Sequence, residues 1–421
     1  MRVLISGAGV AGPTLAWFLA KTGARVTIVE KANSLMPIGQ NIDVNGTALS
    51  VVKQMGLYGE LRRLNTTEKG TQFVDTNGRI LTSFPLQKGA VSGTSEYEIL
   101  RGDLAKMLAD ASMESPNVDY KLGTTIISVL SNNDNNVKVK LSNGEVDEYD
   151  LLVAADGQWS RTRKQCFGPE DVNVVDKGMY AVYWTLPRLS TDNDMWTIYQ
   201  ALGSRIITIR PDPHGSMRAM FTRMPCNDTQ KEAWESASRS GRQEQHALLR
   251  SEFADAGWIA QRLLDSMDEA TDFYFHSIKQ TKMSKWSISR VVCLGDAAYA
   301  PTPLTGAGAN LAILGAYVLA GELGNLGQGE HPAKALEAYE RTFRPFVEEI
   351  QSLPPFVPDF AHPATAWKRS LFRAATWAIS KLAAVPWFAS KHDETKEDAN
   401  FSLPQYSSFA ALEGSSEVQM H

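Results

Sequence analysis

The stretch that decides the fold is MRVLISGAGVAGPTLAWFLAKTGARVTIVE, residues 1–30. Its pattern predicts an apolar strand, a glycine turn, a helix and a second strand that ends in an acid. Gly7, Gly9 and Gly12 have the G-x-G-x-x-G spacing, and Glu30 follows at about the distance expected for an acid that binds a ribose hydroxyl. This order predicts a site for the ADP half of a dinucleotide, and it leaves NAD and FAD both open.

Each glycine has its own physical reason in this motif. Gly7 allows the tight turn after the strand, and Gly9 lets the backbone approach a pyrophosphate. Gly12 lets the helix pack closely against the strand. The N-terminus of the helix then supplies amide donors and a favourable dipole to the phosphates.

Composition places the chain among ordinary globular proteins and excludes several classes of function. The 421 residues are 43% hydrophobic and 21% charged, with a formal net charge of −5. This charge gives no reason to expect a nucleic acid as partner. The three cysteines lie far apart, and we expect neither a disulfide framework nor a zinc site. Without a recognisable signal peptide or an uninterrupted apolar run of membrane-spanning length, we expect a cytoplasmic protein.

The chain alternates between two sequence patterns, and this alternation predicts an α/β fold with a discontinuous nucleotide-binding domain. Residues 1–170 and 285–355 carry the Rossmann-like pattern of buried strands and helices, with helices expected over 101–112, 306–323 and 332–350. Residues 171–284 carry longer alternating strands followed by charged helices, which predicts an inserted α+β domain built on an antiparallel sheet. The strands predicted in the insert cover residues 179–185, 196–200, 205–210 and 217–223.

Two Asn-Gly pairs predict β-hairpins. Asn77-Gly78 and Asn143-Gly144 each lie between short apolar or alternating runs. Such pairs are typical of type I′ turns.

Residues 356–421 form a C-terminal extension with a polar end. Residues 366–388 combine aromatic with basic side chains, which is compatible with an amphipathic helix on a membrane surface. We prefer the other interpretation, a terminal helix packed on the body with lysine stems covering apolar surface.

Three later signals add to the opening motif. Arg101 stands at a predicted helix start, where a guanidinium can hold a phosphate or simply be exposed. The segment DGQWSRTR begins with Asp156 and Gly157 after a buried strand and includes Arg163; alone, it is also compatible with an ordinary helix cap. The segment GDAAYAPTPLTGAGAN, residues 295–310, places an aspartate after a strand and glycines before a helix. There a helix N-terminus can stabilise negative charge on a flavin.

In this order, the four signals resemble the class A FAD-dependent aromatic hydroxylases, the family of para-hydroxybenzoate hydroxylase. The chain looks most similar to the tetracycline-inactivating monooxygenases and to fungal FAD-dependent monooxygenases of secondary metabolism. The resemblance covers residues 1 to about 325 and implies FAD as the bound dinucleotide. The FAD-binding residues that it implies are Gly7, Gly9, Gly12, Glu30, Lys31, Asp43, Arg101, Asp156, Gly157, Arg163, Asp296, Pro303, Gly306, Gly308 and Asn310.

The resemblance also implies the reaction. NAD(P)H reduces FAD, O2 forms a C4a-hydroperoxyflavin, and one oxygen atom enters an aromatic or polyketide/terpenoid-like small molecule by hydroxylation or epoxidation. In the family the Asp-Gly pair also serves the transient approach of NAD(P)H, a role that Asp156, Gly157 and Arg163 would take here. The flavin carries the chemistry, so we assign no catalytic side chain, no histidine and no metal.

Substrate contacts are expected from the inserted sheet. Tyr183 and Arg205 are candidates by weak alignment with the family, and Phe221 is a candidate by position alone. Each has an ordinary structural alternative: a core tyrosine, a solvated arginine and a core phenylalanine.

Other functions remain open on the same fold. A flavin-dependent oxidase or reductase and a Baeyer–Villiger-type oxygenase are alternatives, whereas a halogenase is disfavoured because its W-x-W-x-I-P signature is absent. A flavin-binding redox sensor or scaffold is the non-enzymatic alternative. The sequence leaves the substrate, the choice of NADPH or NADH, and the oligomeric state undetermined.

Overall fold

The computed structural model describes residues 1–35, 39–86, 94–352, 360–383 and 401–410. Its strands are β1 (Arg2–Ser6), β2 (Arg25–Glu30), β3 (Asn41–Asp43), β4 (Gly70–Val74), β5 (Ile80–Pro85), β6 (Glu98–Leu100), β7 (Val118–Leu122), β8 (Ile126–Asn132), β9 (Val137–Leu141), β10 (Val146–Tyr149), β11 (Leu151–Ala154), β12 (Val172–Pro187), β13 (Trp196–Ala201), β14 (Arg205–Pro211), β15 (Ser216–Arg223), β16 (Tyr274–Met283), β17 (Ser287–Ile288) and β18 (Val291–Cys293). Its helices are α1 (Ala11–Lys21), α2 (Gly46–Gln54), α3 (Tyr58–Arg63), α4 (Arg101–Met113), α5 (Arg161–Cys166), α6 (Asp228–Arg239), α7 (Arg242–Phe253), α8 (Ala260–Ser266), α9 (Asp296–Tyr299), α10 (Gly308–Gly324), α11 (Ala333–Gln351) and α12 (Ala366–Ala383). The helices predicted over 101–112, 306–323 and 332–350 are thus confirmed to within two residues as α4, α10 and α11.

A six-stranded sheet in the order β17-β18-β11-β1-β2-β7 forms the first layer. β1 lies in parallel between β11 and β2, and β7 and β18 extend the parallel pairing outward. The side chains of β1 from Val3 to Ile5 and of β11 from Leu151 to Val153 are fully buried. Helices cover this sheet, so its central strands are continuous apolar runs rather than alternating ones.

The strand β18 completes this first sheet from far along the chain. It pairs with β11 through Val292 opposite Val153, after the whole of the larger sheet has been formed. The return of the apolar strand pattern after residue 285 therefore corresponds to a return to the first sheet.

A seven-stranded sheet in the order β16-β12-β15-β14-β13-β4-β5 forms the second layer. Neighbouring strands are antiparallel except β13 and β4, which are parallel. One face packs on α6, α7 and α8 and carries Val182, Trp184, Ile207 and Phe221; we call it the helix face. The opposite face, which carries Ala181, Tyr183, Met220 and His276, is called the cleft face below.

The hairpin of β4 and β5 joins the second layer although it lies early in the chain. Thr71 to Val74 pair in parallel with Trp196 to Tyr199 of β13. These strands fall within residues 1–170, the range that we assigned to the nucleotide-binding domain. Sheet membership therefore does not follow that range, because the parallel pairing with β13 was not visible in local sequence.

Both predicted hairpins are present, but their turns are not of type I′. Gly78 and Gly144 have φ of +79° and +91°, whereas neither Asn77 nor Asn143 has a positive φ. Asp75 and Arg79 are bonded across the first loop, and Leu141 and Glu145 across the second. This is the three-residue loop, a type I turn followed by a left-handed glycine. The Asn-Gly pairs therefore predicted the positions of both turns correctly, but the predicted turn type was wrong.

The C-terminal part lies against both layers. α12 packs beside the β4–β5 hairpin, where Phe372 contacts Phe73 of β4. Residues 360–365 are hydrogen-bonded to the end of β13 and the β13–β14 connection. Tyr406 and Phe409 pack on α10 and α1. Of the helix predicted over 366–388, the residues after 383 lie outside the described part. No helix in the described ranges is long and apolar enough to cross a membrane.

Candidate active site

Three of the four sequence signals meet at one edge of the six-stranded sheet, whereas Arg101 follows β6, which pairs with β3 outside this sheet. Gly7 follows β1, Glu30 ends β2, Asp156 follows β11 and Asp296 follows β18. Because these strands are parallel, their carboxyl ends lie together. Open α/β sheets bind nucleotides at this edge. The site lies beside a strand from which the chain continues to opposite sides of the sheet.

The glycine turn has the geometry that a dinucleotide site requires. Gly7 has a φ of +110°, and a Cβ on it would lie 2.5 Å from the carbonyl oxygen of Ala155. A Cβ on Gly12 would collide with the carbonyl oxygen of Gly7, so helix and turn are in direct contact. Gly9 differs from both, because a Cβ there would meet no atom within 4 Å. Gly7 and Gly12 thus shape the turn, and Gly9 faces open space.

Glu30 is half-buried and braces the same turn. Its two carboxylate oxygens accept hydrogen bonds from the backbone N–H groups of Ala8 and Ala32, both at 2.9 Å. The carboxylate is therefore held at the end of β2, beside the glycine turn. Lys31 is exposed next to it. Their contacts with the ADP half remain a prediction.

Asp156 caps α5. Its carboxylate accepts hydrogen bonds from the Ser160 hydroxyl at 2.5 Å and from the N–H groups of Arg161 at 2.9 Å and Thr162 at 3.1 Å. The helix cap that we gave as the structural interpretation of this motif is thus present. Gly157 has a φ of +82°, and the space beside its Cα is open. The backbone at Gly157, rather than the Asp156 carboxylate, is what this loop leaves free.

Arg163 does not reach an exposed surface. Its side chain is 2% exposed and donates to the carbonyl oxygens of Ala297 and Gln158. Burial lowers the pKa of this guanidinium. The arginine joins α5 to the segment after β18, so this geometry favours a positioning role over the predicted direct contact with FAD or NAD(P)H.

Asp296 lies in a concave part of the site. Its side chain is accessible, yet the surrounding protein raises the pKa of the carboxyl group, and the Arg101 charge partly offsets this rise. A Cβ on Gly308, the first residue of α10, would lie 3.8 Å from the Asp296 carboxylate. Arg101 is exposed at the start of α4, where its N–H donates to the carbonyl of Gln40 at 3.0 Å. Aspartate, guanidinium and the start of α10 therefore border the same concave space.

The turn between Asp296 and α10 has a strained backbone. Thr302 has φ of 90° and ψ of 149°, a region that non-glycine residues avoid at a cost of roughly 1–3 kcal/mol. Pro303 begins a short 3-10 turn, and Gly306 closes it in the left-handed region with open space around it. Local sequence reasoning found the proline and the glycines of this turn but gave no signal for the strain at Thr302.

The side chain of Asn310 is hydrogen-bonded within the protein. Its side-chain amide exchanges hydrogen bonds with the backbone and side chain of Asn45, which precedes α2. Asn310 thus links α10 to α2. The predicted contact with the flavin would then come from the first turn of α10 rather than from the Asn310 side chain alone.

Asp43 belongs to a buried ionic cluster that the sequence did not reveal. The Ser95 hydroxyl donates to its carboxylate at 2.6 Å. Arg210 donates to Glu68 at 2.9 Å through two nitrogens, also pairs with Glu98, and stacks on Trp196 at 4.2 Å. Burial, with the charge of Glu98, raises the pKa of Asp43 to about 6, and burial raises the pKa of Glu68 to about 7 despite Arg210.

This ionic cluster joins the two layers. Its carboxylates come from β3, β6 and the loop before β4, and its guanidinium comes from β14. Residues 41–43, in a segment with a polar sequence, form β3 and pair with β6. No signal in a single sequence pairs a glutamate in a polar loop with an arginine more than a hundred residues away.

Tyr183 lies on the cleft face. It is half-buried, opposite Met220 of β15 and Tyr274 of β16, and its ring packs on Tyr274 with centroids 5.2 Å apart. Burial raises the pKa of its hydroxyl, and the charge of Arg101 acts in the opposite direction. The candidate tyrosine therefore faces the side of the sheet on which Arg101 and Asp296 lie.

Arg205 and Phe221 face the other way, and their assignment to substrate is not supported. Phe221 is fully buried on the helix face and stacks on Phe253 with centroids 4.4 Å apart. Arg205 pairs with Asp255 at 2.5 Å and donates to the carbonyl of Leu202 at 2.8 Å. Alternation along a strand gives two faces but does not say which one meets the cleft, and the two residues were placed on the wrong one.

Two residues of the cleft face went unnoticed in the sequence. Met220 is half-buried opposite Tyr183, and His276 lies opposite Ala181. Burial, together with the charges of Arg101 and Lys279, lowers the pKa of His276 to about 4, so its imidazole is neutral at pH 7. The pairing of β12 with β15 and β16 would have pointed to both, but it requires the sheet order.

The residues of this edge fit an FAD molecule. Open space beside Gly9 admits a pyrophosphate at the start of α1, where the first N–H groups lack helical acceptors. The Asp296 carboxylate could accept a hydrogen bond from a ribityl hydroxyl, and the start of α10 could supply donors and dipole for a ring that gains negative charge. Arg101 offers a cation on the same side.

Comparisons with known proteins agree with this fit. A family model described as FAD binding domain matches residues 1–352. A flavin-dependent monooxygenase of Legionella longbeachae serogroup 1 is 34% identical over 355 residues, which cover 83% of this chain and 87% of that protein. Monooxygenase CTB7 of Cercospora beticola is 35% identical over 393 residues, which cover 89% of this chain and 92% of that protein.

Solved structures show the same architecture. The crystal structure of the tetracycline destructase Tet(51) matches with a TM-score of 0.79 and 28% identity, covering 96% of this chain and 99% of that one. Klebsiella pneumoniae HpxO in complex with FAD and uric acid matches in fold, with a TM-score of 0.67 and 19% identity, covering 94% of this chain and 98% of that one. The chain therefore belongs to the FAD binding domain family and is a flavin-dependent monooxygenase of the class A hydroxylase type.

Proposed function

We propose that this monooxygenase inserts one oxygen atom into an apolar, ring-containing molecule held between the FAD cleft and the cleft face of the seven-stranded sheet. One observation carries the proposal. Leu304, in the turn between Asp296 and α10, packs against Met179 and Ala181 of the cleft face. The charge of Arg101 acts on Asp296, Tyr183 and His276 across the same space. These groups therefore border one space, although they come from different layers.

The chemistry of the cleft face supports this class of substrate. Tyr183, Tyr274 and His276 form a row of rings, with Tyr274 and His276 stacked at 5.6 Å, and Met220 lies beside them. Aromatic and thioether side chains suit an apolar ring system, since they offer contact area with few charges. The Tet(51) relative is named for tetracycline, which supports a multi-ring, polyketide-like molecule.

FAD would be held by the residues of the sheet edge. We assign the ADP half to the glycine turn and Glu30, and the ribityl chain and ring to Asp296, Arg101 and the start of α10. When bound, FAD supplies the redox chemistry that uses NAD(P)H and O2. We assign the role of the substrate domain to the seven-stranded sheet with α6–α8, which makes the β4–β5 hairpin part of it.

The protein's own tasks are to orient the substrate and exclude water. Tyr183 keeps its proton at neutral pH, since its pKa is raised, and its hydroxyl can donate a hydrogen bond to an oxygen of the substrate. The imidazole of His276 is neutral, so one of its ring nitrogens can accept a proton or a hydrogen bond. Apolar walls around these groups strengthen such contacts.

NAD(P)H would approach at the loop after β11. The open space at Gly157 and the 45% exposed ring of Trp159 support this route. Arg163 would act from behind by fixing the loop to Ala297.

The test is to purify the chain, record flavin absorbance, and screen ring compounds for faster NADPH oxidation. Products formed under isotopically labelled O2 are then analysed by mass. We expect bound FAD and one labelled oxygen atom in the product. Unlabelled product, or NADPH oxidation that yields only hydrogen peroxide with every compound, would instead favour an oxidase.

A further inference from the structure

The helix α12 turns an apolar side to the solvent. Trp367 is 65% exposed, Leu371 56% and Trp377 54%. Ala374 is also exposed and, at helical spacing, shares this side with Trp367 and Leu371. A surface helix normally presents polar residues on its outer side. We call Trp367, Leu371, Ala374 and Trp377 the outer face of α12.

The opposite side of α12 holds it on the body. Phe372 packs on Phe73 of β4 and on Phe360, with centroids 5.6 and 5.2 Å apart. The guanidinium of Arg369 donates to the carbonyl of Gln200 at 3.4 Å. The packing that we preferred from the sequence is thus present, but it uses one side of the helix, and none of the residues that the structure describes covers the outer face.

The charge of α12 differs from that of the rest of the chain. The helix contains Lys368, Arg369, Arg373 and Lys381 and no acidic residue, within a chain whose formal net charge is −5. Lys368 and Lys381 are exposed at the two ends, and the ammonium of Lys368 lies 5.9 Å from the Trp367 ring. Exposed tryptophans flanked by lysines are typical of helices that lie in the boundary between water and lipid headgroups.

We propose that the outer face of α12 binds the surface of an anionic lipid membrane. The tryptophans and Leu371 enter the headgroup region, while Lys368 and Lys381 remain at the level of the phosphates. The helix lies parallel to the surface, since its basic residues keep it from entering the hydrocarbon core. Apolar substrates dissolve in membranes, so this position would bring the enzyme close to its substrate.

Vesicle sedimentation with the full-length holoenzyme tests the proposal. The probes are vesicles of phosphatidylcholine alone and vesicles of phosphatidylcholine mixed with phosphatidylserine. We expect binding to the mixed vesicles that weakens at high salt, and a partition coefficient lower by at least about tenfold in the double variant Trp367→Ser/Trp377→Ser. Vesicles containing brominated lipid should quench part of the tryptophan fluorescence of the wild type but not of this variant.

A matched control removes apolar surface elsewhere. Ile127 and Leu130 of β8 are 55% and 51% exposed, and Ile127→Ser/Leu130→Ser should bind vesicles as the wild type does. Equal FAD content in all three proteins shows that they are folded. Absence of binding to mixed vesicles, or equal loss in both double variants, would overturn the proposal. So would a dimer in sedimentation velocity that only the tryptophan variant disrupts, since a second copy would then cover the outer face.

Discussion

The edge of the six-stranded sheet and the cleft face of the seven-stranded sheet are the two walls of the proposed site, and they differ in what determines their residues. At the edge, backbone geometry decides which residues fit: Gly7 needs a positive φ, and Gly12 has no room for a Cβ. On the cleft face, any side chain of suitable size satisfies the backbone. We therefore expect the cofactor and the fold together to constrain the edge, and the cleft face to differ with the substrate.

The largest expected effect separates the two faces of one sheet. Phe221→Ala should cost about 3–5 kcal/mol of unfolding free energy, because it leaves a cavity between β15 and α7. Tyr183→Ala removes a half-exposed ring and should instead raise KM for the substrate with little change in stability. Chemical denaturation and steady-state kinetics measure the two effects. If Tyr183→Ala unfolds the protein and Phe221→Ala changes only KM, the faces have been exchanged.

A pair of glycines sharpens the comparison at the edge. Gly12→Ala should lower both thermal stability and FAD affinity, since its Cβ meets the Gly7 carbonyl, at a cost of roughly 1–3 kcal/mol. Gly9→Ala should leave the stability of the flavin-free protein unchanged and lower FAD affinity by about ten- to hundredfold, because its Cβ fills open space. Gly59→Ala, in α3 with equally open surroundings, is the control: it should leave FAD affinity unchanged and raise stability by up to about 1 kcal/mol, since alanine is favoured over glycine in a helix. Tight FAD binding by Gly9→Ala would place the pyrophosphate elsewhere.

These two predictions show where sequence reasoning succeeds. The glycine turn, Glu30, Asp156 and Asp296 could be placed at one edge because spacing and parallel strands dictate it. Phe221 and Arg205 could not be placed, since a period of two has two phases and the one that meets the cleft depends on which side α6–α8 cover. The pairing of β4 with β13 and the cluster around Arg210 were also out of reach, because both depend on contacts between distant segments.

The buried cluster that joins the two layers should make stability depend on pH. The pKa values of Asp43 and Glu68 are raised to about 6 and about 7, so the folded protein binds more protons than the unfolded chain between about pH 4 and 7. Their stabilising contribution is complete below the unfolded pKa values and is lost as pH rises through the folded ones. The free energy of unfolding of the flavin-free protein should therefore fall across this range, and less steeply in Asp43→Asn. If the free energy of unfolding falls equally steeply with pH in the wild type and in the variant, Asp43 does not contribute to this pH dependence.

The smallest effect concerns Arg205. Its ion pair joins a 12% exposed Arg205 side chain to a 75% exposed Asp255 carboxylate, and a pair that is open to solvent on one side contributes about 0–1 kcal/mol. Arg205→Gln should change unfolding free energy within that range and leave KM and kcat as in the wild type. A large increase in KM would return Arg205 to the substrate site and contradict its position on the helix face.

The most direct test of the account is a crystal structure of the holoenzyme with FAD and a substrate that is turned over. We predict the pyrophosphate beside Gly9, the flavin ring beside Asp296 and the start of α10, and the substrate in contact with Tyr183 and Met220 on the cleft face. A substrate bound among α6–α8 on the helix face, or a flavin ring remote from Asp296, would contradict it.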